Sequence, residues 1–71
     1  MDIDPITLLP IKFLSLSEVM EITSLSSTTI WREEKSARFP RRRKLSPNRV
    51  AWVDKEIYDW IGLKVETAND L

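Results

Sequence analysis

Residues 15–36 read SLSEVMEITSLSSTTIWREEKS, and two helix starts are written into them. Ser15 and Glu18 stand three apart, the spacing at which a serine caps the first turn and a glutamate answers its amide. Leu16, Val19, Met20 and Ile22 supply an apolar face, so the pattern predicts a helix from Leu16 to Thr23. Thr23-Ser24 breaks that pattern and Leu25 resumes it. Ser26 offers a second N-cap, opening a helix from Ser27 to Ser36. Two short helices joined by about three residues make the helix-turn-helix layout.

On the N-terminal side, Asp2, Asp4, Pro5 and Pro10 exclude a helix, because proline lacks an amide donor and biases its predecessor to extended geometry. Residues 1–12 read as an arm, ordered in part by Ile11 and Phe13 reaching the core. On the other side Phe39-Pro40 ends the second helix. Arg41-Arg42-Arg43-Lys44-Leu45 and Arg49-Val50-Ala51-Trp52-Val53 then flank Ser46-Pro47-Asn48, which favours a turn. The expected product is a hairpin with Val50 and Trp52 on one face of its second strand. Arg42 and Lys44 share one face of the first strand, and Arg41, Arg43 and Leu45 the other. A last helix is expected from Asp54 to Ile61, with Ile57, Trp60 and Ile61 inward and Gly62 as its stop. The fold class is therefore mainly α with a small β-hairpin (α+β). One domain over residues 13–61 is expected, with a polar tail over 62–71.

Composition narrows the chemistry. A chain of 71 residues, 42% apolar, holds one small core and buries about 60% of its unfolded surface. It has no cysteine and no histidine, which removes disulfides, thiolate metal sites and the commonest acid–base side chain. The single glycine excludes a phosphate-cradling loop. Neither a membrane span nor a signal peptide is legible. The expectation is a cytoplasmic, nucleoid-associated, non-enzymatic protein with no cofactor, no catalytic residue and no metal ligand. The carboxylate pairs Glu33/Glu34 and Glu56/Asp59 read as solvated helix faces, and Trp52, Ile57 and Trp60 as core.

A net charge of zero conceals a segregated layout. Between Arg32 and Arg49 the chain carries +6, with −3 on each side of that segment. A concentrated basic segment makes a local field suited to an anionic partner. In a helix-turn-helix the start of the second helix meets the DNA major groove. Here that start is Ser27, Thr28, Thr29, Ile30, Trp31 and Arg32. Hydroxyl residues permit close approach and address several bases, while free amides can meet a phosphate. Ile30 continues the core line from Leu25. Trp31 either turns outward with its indole N–H available to a phosphate or caps the core from its edge. Lys35 continues the basic run at the end of that helix. Arg41, Arg42, Arg43, Lys44 and Arg49 form a basic wing that can follow the phosphate backbone or enter a minor groove.

Taken together, Phe13-Leu14, Ser17-Glu18-Val19, Leu25-Ser26, Thr28-Thr29-Ile30-Trp31-Arg32, Arg38-Phe39-Pro40, Lys44-Leu45, Pro47-Asn48-Arg49-Val50-Ala51-Trp52, Glu56-Ile57 and Trp60-Ile61 resemble the AlpA family of phage and genomic-island regulators. The resemblance covers residues 13–61 and implies a winged helix-turn-helix related to excisionases and the MerR DNA-binding domain. It departs from the family where glycine is common, at Ser24, Ala37, Ser46 and Ala51. Glycine is used where φ is positive or backbones come close, so a strained Ala37 is expected there.

What the resemblance implies is a sequence-specific DNA-binding protein of a prophage or genomic island. Its double-stranded DNA partner would be attachment-site or promoter repeats, and an integrase is a further candidate partner. Two roles are open: excisionase (recombination directionality factor), or transcriptional regulator of an integrase gene. The charge layout also suits cooperative head-to-tail self-association on DNA. The competing class is a small protein-interaction module that docks on and inhibits a regulator or recombinase, since fold alone does not decide function.

Overall fold

The computed structural model of the chain describes residues 11–68. In order, they form β1 (Phe13–Leu14), α1 (Leu16–Thr23), α2 (Ser27–Lys35), β2 (Arg43–Ser46), β3 (Arg49–Val53) and α3 (Asp54–Ala68). Most of the expected arm and the end of the expected tail lie outside the described residues.

Helix α1 starts where the serine–glutamate spacing places it. The Ser15 amide donates to Glu18 Oε1 at 2.9 Å and the Glu18 amide donates to Ser15 Oγ at 3.2 Å, a complete capping box. It ends on Ser24, whose φ of 62° is left-handed and whose amide donates to the Met20 carbonyl. Helix α2 ends on a Schellman pair: the Ala37 amide donates to Glu34 O at 3.0 Å and the Arg38 amide to Glu33 O at 2.9 Å. Ala37 takes the left-handed position of that motif, with φ 58°. Two of the four glycine-less positions are thus the ones that bend the wrong way for an L-residue. Ser46 and Ala51 do not have positive φ.

The three strands form one antiparallel sheet in the order β1-β3-β2. Strand β1 is not legible in the sequence, because its two residues are too few to show alternation. It pairs Phe13 with Val53 and Leu14 with Trp52. Asp54 locks the same edge, accepting from the Lys12 amide at 3.0 Å while its own amide donates to the Lys12 carbonyl. This pairing overturns the expected role of Ile11 and Phe13, which stay exposed, and gives it to Leu14, which is buried. The wing pairs Arg43 with Ala51, Lys44 with Val50 and Ser46 with Arg49, with a bulge at Leu45. The first strand therefore begins at Arg43, leaving Arg41 and Arg42 in the approach to it.

Leu14, Val19, Ile30, Phe39, Trp52 and Ile57 make the core. Trp52 is wholly buried at its centre, so the sheet, α1, α2 and α3 all converge on one indole. Trp60 closes the side, its ring edge-on to Phe39 at 4.9 Å and its indole N–H donating to Arg38 O at 2.8 Å. Helix α3 does not stop at Gly62. That residue lacks the positive φ of a terminating glycine, and Leu63, Lys64 and Glu66 beyond it are good helix formers, so the helix continues to Ala68. Among the described residues no helix is long and apolar enough to cross a membrane.

Candidate nucleic-acid interface

Ser26 Oγ accepts the Thr29 amide at 3.2 Å and donates to Thr29 Oγ1 at 3.0 Å. The Thr29 hydroxyl is therefore held by the cap, half-buried, while Thr28 is exposed and Ser27 is half-buried. The first amides of any helix lack a carbonyl one turn earlier, so the Ser27–Thr28 end presents donors beside a free hydroxyl. Ile30 is fully buried and points this surface outward. Arg32 is exposed one turn further on.

Trp31 adopts the edge-capping position. It is half-buried, with its ring 5.9 Å from that of Trp52. The guanidinium of Arg42 lies over the Trp31 ring, 4.0 Å from its centroid. The Arg42 amide donates to Glu34 Oε1 at 3.1 Å, and Arg42 Nε lies 4.0 Å from the same oxygen. Helix α2 and the approach to the wing are thereby clipped together by three side chains. The result is a groove lined by Trp31, Glu34, Lys35, Arg41, Arg42 and Lys44. Cations of α2 and of the wing share it.

The other face of the wing behaves differently. Arg43 Nη2 donates to Glu56 Oε2 of α3 at 2.8 Å, and its Nη1 donates to Arg41 O at 2.7 Å. Arg43 is thus a strut between wing and helix. Glu34, with a side chain only 11% exposed, and Glu56, the partner of Arg43, depart from the reading of these carboxylates as solvated faces, whereas Asp59 is exposed and neither it nor Glu33 makes an ion pair among the described residues. The sequence held one hint, since acidic residues inside or facing a basic segment are natural counter-ions. Arg32, Lys35, Arg41, Lys44 and Arg49 are exposed and make no ion pair among the described residues. No cluster of metal-ligating side chains occurs among the described residues.

Residues 12–65 match the family model described as prophage CP4-57 regulatory protein (AlpA). The chain belongs to the AlpA family. The match takes in every element from β1 to most of α3, including both left-handed serine and alanine positions. This AlpA-family chain is also similar to an uncharacterized protein, ORF88, of Enterobacteria phage P4, with 32% identity over 54 residues. That alignment covers 76% of this chain and 61% of the phage protein, so the chain spans about three-fifths of its relative's length.

Proposed function

We propose that this chain binds double-stranded DNA as a regulator of a prophage or genomic island. The observation that carries the reading is the shared groove, in which Trp31 and Lys35 of α2 stand beside Arg41, Arg42 and Lys44 of the wing. A duplex seated there meets the Ser27–Thr28–Thr29 end and Arg32 in its major groove. Its flanking phosphates meet Lys35, Arg41, Lys44 and Arg49. Arg42 and Arg43 contribute chiefly by holding the wing, through Trp31 and Glu56 respectively.

Within that reading the biological role is that of an excisionase, a regulator of an integrase gene, or both. The same surface serves each, because neither requires chemistry from the protein. The targets are attachment-site or promoter repeats, with neighbours on one duplex making head-to-tail contacts and an integrase as the protein partner.

A gel shift comparing the element's own attachment-site DNA with an unrelated duplex of equal length tests the reading. Preference for the attachment site supports it. Arg32→Ala is then expected to weaken specific binding by about 1–3 kcal/mol while leaving binding to the unrelated duplex nearly unchanged. No preference at moderate salt favours the alternative, a module that docks on and inhibits a regulator or recombinase.

A further inference from the structure

Gly62 sits in the interior of α3, does not have a positive φ, and would meet nothing within 4 Å if it carried a Cβ. Nothing inside the fold calls for glycine there, and an exposed helix interior is among its least favourable settings. The side of α3 that faces the body is marked by its contacts. Glu56 pairs with Arg43, Ile57 is buried, and Trp60 bonds to Arg38 O. Tyr58, Gly62 and Val65, spaced i, i+4 and i+7, share a stripe on a different side. Tyr58 is 52% and Val65 55% exposed. Lys55 and Glu66 border that stripe along the same edge, both exposed and neither in an ion pair among the described residues.

We propose that this outer stripe is a self-association surface, on which the α3 of a second copy lies antiparallel about a two-fold axis beside Ile61 and Gly62. A two-fold contact is made twice from one patch, so the patch must complement itself. In the antiparallel arrangement it does. Tyr58 meets Val65 of the second copy, Gly62 admits the facing backbone, and Lys55 lies along the same edge as Glu66 of the second copy. A parallel arrangement would instead bring like-numbered residues to the same level, forfeiting both complementary pairs. Charge complementarity thus selects both the occupant and its direction. Only a few side chains from each copy meet, so association is weak, with a Kd on the order of 0.1 mM. This contact forms off DNA and is separate from head-to-tail contacts between neighbours on a duplex.

Sedimentation equilibrium of the full chain from about 10 µM to 1 mM reads it out, with the thermal midpoint of each variant confirming that it is folded. Monomer–dimer behaviour is expected, weakened about fivefold or more by Lys55→Glu or by Glu66→Lys alone. The double exchange restores it. Gly62→Ala is expected to raise the thermal midpoint while weakening association, an opposition that a role confined to the fold would not produce. A chain monomeric at 1 mM overturns the proposal. So does a double exchange no better than the single variants, or a dimer indifferent to all three positions.

Discussion

The guanidinium of Arg42 rests 4.0 Å from the centroid of the Trp31 ring, and the Arg42 amide is held by Glu34 at 3.1 Å. A cation from the approach to the wing is therefore committed to an aromatic of α2. This makes the angle between α2 and the wing a property of side-chain contacts and not of the connecting loop alone.

The stacking should appear as a coupling energy. Urea unfolding of the wild type, Trp31→Ala, Arg42→Ala and the double variant is expected to give about 0.5–1 kcal/mol of interaction between the two side chains. Lysine at position 42 should retain only part of it, because its ammonium cannot lie flat on a ring. Additive losses would separate the two residues.

The left-handed residues offer a gain. Ser24 at φ 62° and Ala37 at φ 58° carry a Cβ where the backbone disfavours one. Ser24→Gly and Ala37→Gly should each stabilise by roughly 1 kcal/mol, raising the midpoint by about 4–8 °C in a domain of this size. Ser46→Gly and Ala51→Gly should not stabilise, since neither position has positive φ and Ala51 is buried. Thermal melts of the four variants decide the matter.

The first cap is sensitive to acid. Hydrogen bonds to Ser15, first through its backbone amide and then through its side chain, hold the Glu18 carboxyl below the usual glutamate range. A depressed folded value means the contribution is complete above the ordinary glutamate pKa and is lost as pH falls through the folded one. Stability measured from pH 7 downward should therefore drop less for Glu18→Gln than for the wild type over that window. Equal pH profiles would show that the cap contributes nothing to acid sensitivity.

Glu56 restrains a cation that DNA could otherwise use. With Arg43 released, Glu56→Gln is expected to tighten DNA binding and steepen the log–log salt dependence by about 0.9. It should also lower stability slightly, because an exposed ion pair is worth about 0–1 kcal/mol. Fluorescence anisotropy at several salt concentrations measures the first effect and urea unfolding the second.

Local signals make much of this architecture legible in the sequence. The Ser15/Glu18 spacing and the Ser26 cap set both early helices, because capping is a contact over three residues and needs no tertiary partner. The turn residues between two basic and β-branched runs likewise mark the hairpin. The long-range contacts are not legible. Leu14 against Trp52, Arg43 against Glu56 and Arg42 against Trp31 join residues 38, 13 and 11 apart in the sequence, where periodicity is silent. The continuation of α3 through Gly62 escapes the sequence for another reason. Glycine stops a helix only when its φ turns positive, and the helix-forming residues beyond Gly62 keep it from doing so.

The proposal that the start of α2 and the wing grip one duplex together stands or falls on a salt titration of DNA affinity. With roughly four phosphates neutralised, by Lys35, Arg41, Lys44 and Arg49, the log–log slope for the wild type should be about −3.6. Lys44→Ala should bring it toward zero by about one on any sequence. Affinity nearly independent of salt, or a slope unmoved by Lys44→Ala, would refute the shared grip.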